Sequence, residues 1–175
     1  MENTMQHITI SKLTLNIGAG EPGDKLSKAV KLLEFISQAK PVKTKTKKRI
    51  PTWGIRPGLA IGAKVTLRGK KAEEILKTLL KALDQKLPES KFDPRGNFSF
   101  GIKEYIDIPG IEYDPSIGIL GLEAAVTLAR PGFRIAHRLK SSKLGPRQRI
   151  TKEQALTFMK EKFNIQIGEQ HHDEL

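Results

Sequence analysis

One stretch of this 175-residue sequence has the composition of a surface that binds phosphate groups. Between Glu34 and Glu73 the chain has no acidic residue, and this interval holds eleven cations of a chain whose net charge is +12. These cations are Lys40, Lys43, Lys45, Lys47, Lys48, Arg49, Arg56, Lys64, Arg68, Lys70 and Lys71. Positive charge concentrated in one region predicts contact with a nucleic-acid backbone, whereas an evenly solvated surface would intersperse acids.

A second basic segment lies between Glu123 and Glu153, and it also lacks acidic residues. Its cations are Arg130, Arg134, Arg138, Lys140, Lys143, Arg147, Arg149 and Lys152. Two interpretations are open at this stage. The segment is either a mobile solvated hairpin or, as we favour, a contact surface for RNA or protein.

The residues that usually carry enzyme chemistry do not form a site in this sequence. The absence of cysteine excludes a thiol nucleophile, a disulfide framework and a cysteine zinc site. The four histidines, His7, His137, His171 and His172, lack metal-ligand or triad spacing. We therefore predict a protein that is not an enzyme and has no metal and no cofactor.

The segment from Gly18 to Gly23 matches a dinucleotide-binding glycine pattern and lies between a predicted strand and a predicted helix. Such a site needs free backbone amides at the turn, but Glu21 adds negative charge and Pro22 removes an amide. Lys40 stands near the position where the ribose-binding acid belongs. A structural turn is the better interpretation, and an equilibrium nucleotide-binding assay would test the alternative of a phosphate-cofactor enzyme.

A membrane-surface protein is the other alternative for a chain this basic. No apolar run approaches the ~18 residues of a membrane span, and the first residues lack the apolar core of a signal peptide. The final residues 172–175 spell a retention signal of the endoplasmic reticulum, which we interpret as chance because nothing directs entry there. We predict a cytoplasmic location, no membrane partner, and cations on strands and loops instead of an amphipathic helix.

The pattern of apolar residues predicts the element order β-α-β-β-α-β-β-α. Period-two alternation predicts strands at 12–17, 42–47, 60–68, 97–106 and 120–129, and a short closing strand at 165–167. Helical spacing predicts helices at 24–36, capped by Asp24, at 70–86, and from the capping box at Thr151 onward.

This order predicts an α+β fold for a single domain over residues 1–175. The expected architecture is an open, mostly antiparallel sheet with helices packed on one face and a split β-α-β-like connection. A basic loop, 48–59, and a basic extension, 130–150, interrupt the regular elements.

In the strand at 42–47 we expect Lys43, Lys45 and Lys47 to point together from the free sheet face. Trp53 either stacks on a nucleotide or anchors the base of the loop, and we favour the anchor.

Three segments in the same order resemble one family. They are Leu13–Glu21 (LTLNIGAGE), Lys40–Gly69 with its IRPG and IGAKVTLRG sequences, and Phe92–Glu104 (FDPRGNFSFGIKE). Together they resemble the universal large-subunit ribosomal protein that binds 5S ribosomal RNA, over most of residues 8–168. The sequence RPGF at Arg130–Phe133 and the basic block after it resemble the archaeal and eukaryotic branch.

The resemblance implies a structural protein of the ribosome, placed in the central protuberance of the large subunit. Its sheet side would bind 5S ribosomal RNA and dock it to the large ribosomal RNA beside other central-protuberance proteins. Asn16, Thr66 and Arg68 match family positions on that RNA-binding surface. Ala39 stands where the family often has glutamine, so Gln38 is displaced by one position.

The resemblance also implies two further contacts. The loop containing Trp53, Gly54, Ile55, Arg56, Pro57 and Gly58 is similar to the family loop that reaches transfer RNA in the P site. The family also forms a bridge to a protein of the small-subunit head.

Overall fold

The computed structural model describes residues 3–168, so His171, His172 and the signal-like residues 172–175 lie outside the described residues. Three helices are present in this part of the chain: α1 (Asp24–Ser37), α2 (Lys70–Lys81) and α3 (Lys152–Phe163). The strands are β1 (Thr9–Gly18), β2 (Val42–Lys45), β3 (Ala60–Leu67), β4 (Lys86–Pro88), β5 (Phe98–Ile102), β6 (Leu122–Ala129) and β7 (Gln166–Gly168).

Five strands form one sheet in the order β2-β3-β1-β6-β5, and every neighbouring pair is antiparallel. Since β3 runs antiparallel to both β1 and β2, those two strands are parallel to each other with β3 between them. The connection β1-α1-β2 is therefore a split β-α-β unit. The predicted fold class, an open and mostly antiparallel α+β sheet, is confirmed.

Alternation along the strands gives the sheet one buried and one solvated face. Leu13, Leu15 and Ile17 of β1 are buried, while Thr14 and Asn16 between them remain partly accessible. β6 repeats this pattern, with four buried apolar residues separated by more exposed ones. Helices α1 and α2 contact β1 and β3, and their leucines join the same apolar core.

The boundaries of α1 and α2 differ from the predicted ones. Gly23, not Asp24, is the N-cap residue of α1, so Asp24 occupies the first turn, where a carboxylate favours the helix dipole. Helix α2 ends at Lys81 instead of 86 because Asp84 and Gln85 adopt positive φ. This turn releases Lys86–Pro88 to pair as β4, in parallel, with β7.

The capping box predicted for α3 is present. Thr151 Oγ1 accepts from Gln154 N, and the Gln154 side chain accepts from Thr151 N. Ala155, Met159 and Phe163 are buried, as their spacing predicts. Within residues 3–168 no helix has the length and apolar composition needed to cross a membrane.

Candidate nucleic-acid interface

The face of the sheet that the helices leave uncovered, called the open face, carries mostly short side chains. Residues that pair across neighbouring strands point to the same face of the sheet, so the strand register defines two rows of side chains on this face. The first row is Ser99, Ala125, Thr14 and Thr66. The second row is Gly101, Glu123, Asn16, Lys64 and Val42. No bulky aromatic side chain interrupts either row, so a broad partner can approach the backbone closely.

One hydrogen bond fixes the orientation of a polar group on the open face. Asn16 Nδ2 donates to Glu123 Oε2 across the β1–β6 pair at 3.2 Å. This bond leaves the Asn16 amide oxygen available as an acceptor, in the part of the chain that the structure describes. Thr66 is exposed in the neighbouring row, and Arg68 is exposed one residue beyond β3. The three residues matched to family positions therefore lie on or beside one surface.

The lysines of β2 do not share a face, contrary to the prediction. Lys43 pairs with Ala63, which is fully buried, so Lys43 lies on the helix side of the sheet and is exposed only because β2 is an edge strand. A register shift between Thr44 and Lys45 then breaks the alternation. Lys47 lies beyond the end of β2, so the expected cationic stripe is dispersed around the sheet edge.

The basic loop 48–59 is a hydrogen-bonded hairpin and not an irregular excursion. Ile50 and Ile55 exchange two backbone hydrogen bonds of 2.9 and 3.0 Å, and Thr46 pairs with Leu59 and Gly58 below them. Gly54 closes the tip with a φ of 66°, a conformation that favours glycine. Lys40 and Lys47 before the hairpin, and Lys48, Arg49, Arg56 and Pro57 within it, are all exposed.

Trp53 does not anchor this hairpin, and that prediction is wrong. Its side chain is 73% exposed at the tip, whereas Ile55 is only 7% exposed. The short turn Pro51–Trp53 places the indole at the exposed tip, and the smaller Ile55 is the residue that is buried. An exposed indole on a firm support is suited to stacking on a nucleotide base.

Arg130 differs from the other cations of the basic extension because its side chain is buried. Nη1 donates to Arg147 O at 2.8 Å and Nη2 donates to Gln154 Oε1 at 2.9 Å. Only 8% of the residue is exposed, so the guanidinium holds the chain together and does not face a partner. The remaining predicted cations of the extension are exposed: Arg134, Arg138, Lys140, Lys143, Arg147 and Arg149.

The glycine-rich turn after β1 is already occupied by a structural contact. The backbone amides of Ala19 and Gly20 both donate to Ile61 O, at 2.9 and 3.0 Å. Amides committed to a neighbouring strand are not free for a pyrophosphate, which supports the structural interpretation of this turn.

An acidic surface lies on the connection between β5 and β6. From Glu104 to Ala129 the chain has no cation, and Glu104, Asp107, Glu112 and Asp114 are exposed in the connection between β5 and β6. Tyr113 and Ile119 beside them are also exposed, at 52% and 64%. Backbone hydrogen bonding from Ser116 lowers the pKa of Asp114 below its ordinary value of 3.8. A surface of this charge repels RNA and suits a basic protein.

Sequence reasoning missed several residues of the open face. Thr14, Ser99, Ala125 and Glu123 join Asn16 and Thr66 only through cross-strand register, which the linear sequence does not display. The available signal was alternation, because each of these residues lies between apolar residues in a predicted strand.

Comparison with known proteins matches nearly the whole chain. The family model described as "Ribosomal protein L5" matches residues 3–56, and the model of the C-terminus of the same ribosomal protein family matches residues 60–158. The relative "Large ribosomal subunit protein uL5" of Nanoarchaeum equitans is 55% identical and covers 95% of this chain and 99% of the relative. Proteins of the same name from Methanosphaera stadtmanae and Sulfurisphaera tokodaii are 49% and 47% identical, with 94% and 95% of this chain covered and 99% and 96% of the relatives.

Proposed function

The chain belongs to the ribosomal protein L5 family of the large ribosomal subunit, and from this premise we propose that its open face binds 5S ribosomal RNA. Membership confirms the resemblance noted in the sequence. The protein is a structural constituent of the large subunit, it is not an enzyme, and it works on the ribosome in the cytoplasm.

The observation that carries the proposal is the composition of the open face. An A-form RNA helix exposes a wide, shallow minor groove lined by 2′-hydroxyl groups, which proteins recognise by shape and short polar contacts. Thr14, Thr66, Ser99 and Ala125 of the first row, with Gly101 of the second, form a shelf of small side chains that is largely polar. Long side chains there would hold the RNA away from the sheet.

Polar groups on this shelf let the protein discriminate between RNAs, and neighbouring cations increase its affinity for any RNA. The free amide oxygen of Asn16 accepts a hydrogen bond from a 2′-hydroxyl or a base amino group, since Glu123 already takes one amide hydrogen. The Thr66 hydroxyl both donates and accepts. Lys64 within the second row, with Lys12 and Arg68, contacts phosphates, whose contribution depends on salt and not on sequence.

The hairpin 48–59 extends from one end of the sheet and is proposed to contact transfer RNA in the P site. Two features support this role. Its backbone is pinned by the Ile50–Ile55 pair, and its tip presents the exposed Trp53 near Arg56. A stacking ring beside a cation suits a single-stranded or irregular RNA segment.

The acidic connection between β5 and β6 is the surface proposed for the bridge to a small-subunit head protein. Proteins that bind ribosomal RNA are usually basic, so the exposed carboxylates of Glu112 and Asp114 offer them a complementary charge. The remaining partners proposed from the family are the large ribosomal RNA and neighbouring central-protuberance proteins.

A competition experiment tests the RNA assignment. Labelled 5S ribosomal RNA is bound to the full chain and challenged with an equal mass of transfer RNA, which we expect to compete poorly. Thr66→Val removes the hydroxyl and keeps the shape, and should reduce discrimination by roughly 1–3 kcal/mol if its partner stays buried. Thr157→Val on α3 is the matched control and should change nothing. If transfer RNA competes as well as unlabelled 5S ribosomal RNA does, charge alone explains the binding and specific recognition is refuted.

A further inference from the structure

The basic extension is a closed loop whose ends meet at one point. Gln148 Nε2 donates to Pro131 O at 2.6 Å and to Met5 O at 3.1 Å, joining the beginning and the end of the loop to the N-terminal segment. The buried Arg130 fork adds bonds to Arg147 O and to Gln154, which also belongs to the capping box of α3. The extension therefore leaves the core at a fixed place.

Internal hydrogen bonds also shape the outer part of the extension. Two short 3₁₀ turns occupy Phe133–Ala136 and Pro146–Gln148. Ser142 N donates to Ile135 O at 3.1 Å, and the Arg138 Nε–H donates to Lys140 O at 2.9 Å. These bonds favour one arrangement of the tip over a mobile solvated hairpin.

The surface that the extension presents is strongly and uniformly positive. Six cations are exposed on it: Arg134, Arg138, Lys140, Lys143, Arg147 and Arg149. Neither of the two ion pairs found within residues 3–168 involves any of them. Leu139, flanked by two cations at the tip, is fully exposed. Closely spaced like charges repel one another, so this loop is complementary to a dense polyanion.

The extension lies far from the hairpin 48–59. Ala129, from which the extension continues, pairs with Thr9 at the start of β1, whereas the hairpin leads into Ala60 near Gly18 at the other end. Strand β1 has ten residues, which corresponds to roughly 30 Å at about 3.3 Å per residue. The two basic elements thus occupy opposite ends of the sheet.

We propose that the basic extension is a second, preformed RNA-binding element that grips the phosphate backbone of an RNA helix, and that Arg130 is its positioning residue. This element acts independently of the open face. The inference rests on the proposed function only in taking RNA as the partner. RNA is favoured over a protein because six exposed cations without one acid match a regular row of phosphates.

Salt dependence of RNA binding tests the contact. The probe is a short mixed-sequence RNA duplex, titrated with the full chain at several salt concentrations. Replacing Arg134, Arg138, Lys140 and Lys143 by glutamine should weaken binding and lower the slope of log K against log salt by up to about four units. The control neutralises four helix cations, Lys25, Lys77, Lys81 and Lys160, and should leave most of the slope intact.

The positioning role of Arg130 is tested by a measurement that distinguishes it from a direct contact between Arg130 and a phosphate. Arg130→Lys keeps the charge but loses the two-pronged fork, and Gln148→Ala opens the base of the loop without changing charge. Each should weaken duplex binding about tenfold, because the extension must then be ordered on binding, while the salt slope stays the same. Circular dichroism verifies that both variants are folded. Wild-type affinity of both variants for the duplex would refute the positioning role.

Two other results would overturn the proposal. If the quadruple variant matches its control on the duplex, the extension does not contact RNA. If wild-type protein pellets with phosphatidylserine vesicles and the quadruple variant does not, while both bind duplex equally, the extension is a membrane element. Discrimination between 5S and transfer RNA is measured in parallel with the quadruple variant. If the wild-type protein does not discriminate between 5S and transfer RNA, the proposed function is refuted. If it does discriminate and the duplex test fails, only this inference is refuted.

Discussion

Replacing Gly62 by alanine should strain the junction between β2, β3 and β1. A Cβ atom at this position would lie 2.8 Å from Thr44 Oγ1 and 2.9 Å from the backbone oxygen of Ile17. Both separations are shorter than a carbon normally tolerates. The threonine hydroxyl can move by rotation, but the Ile17 oxygen belongs to a strand in the middle of the sheet, so the backbone must shift.

The expected loss of unfolding free energy follows from overpacking, because the added methyl group enters a closely packed region. An extra methyl group that forces the backbone to move costs about 1–3 kcal/mol of unfolding free energy. For a chain of this size, 1 kcal/mol lowers the melting temperature by about 2–4 °C, so we expect a decrease of roughly 2–12 °C. Because Thr44 belongs to β2, the strain also displaces the edge strand that leads into the hairpin 48–59.

Chemical unfolding followed by circular dichroism measures this effect, and the sheet supplies its own control. Gly18 lies opposite Gly62 in the register, does not adopt a positive φ, and leaves open space of 4 Å around the place that a Cβ atom would take. Gly18→Ala should therefore be neutral or slightly stabilising. Adding Thr44→Ala to Gly62→Ala should restore only part of the loss, because the Ile17 oxygen remains.

The reasoning would be refuted if Gly62→Ala and Gly18→Ala unfolded at the same denaturant concentration. Full rescue by Thr44→Ala would show that the hydroxyl alone causes the strain. In that case the proposed shift of β1 relative to β3 would be wrong.

Three further predictions concern the margins of the interface and the response to acid. Lys45→Ala should reduce the salt slope of 5S RNA binding by up to about one unit, and an unchanged slope would place Lys45 away from phosphate. Trp53→Ala should leave the melting temperature unchanged and weaken retention of P-site transfer RNA on assembled ribosomes, whereas Ile55→Ala should disturb both; a lowered melting temperature for Trp53→Ala would contradict its outward placement. Lys152 lowers the pKa of Glu89 by a hydrogen bond and by its charge, and the Ser116 backbone lowers that of Asp114. Since folding depresses both pKa values, their stabilisation is present above the ordinary values of 4.5 and 3.8 and is lost as the pH falls below them. The denaturant concentration at the unfolding midpoint should decrease as the pH is lowered through that range. This decrease should be less steep for Lys152→Gln.

Local patterns in the sequence were sufficient for much of the fold. The alternation of Leu13, Leu15 and Ile17 predicts β1, and the Thr151–Gln154 box predicts the start of α3, because both signals arise within a few neighbouring residues. The end of α2 was missed because the apolar stripe continues to Leu83 while the backbone turns. The segment after that turn pairs with β7, a distant partner that the local pattern does not reveal.

The candidate site was predictable by composition and less so by orientation. A count of charges identifies both basic regions, yet it does not show that Arg130 points inward to the Arg147 carbonyl. The same limit explains Lys43, whose side of the sheet depends on pairing with Ala63 and on the register shift that follows. Orientation depends on contacts between residues far apart in the chain, and single-sequence periodicity carries no information about them.

The position of β2 at the edge of the sheet has a consequence for the protein before it meets the ribosome. An edge strand offers unpaired backbone groups to any other strand, and Val42 adds an exposed apolar side chain, 60% accessible. Lysines on such an edge oppose pairing between copies because two edges of like charge repel. Lys43 and Lys45 therefore protect the newly made chain against self-association, and high salt or a polyanion that neutralises them removes this protection.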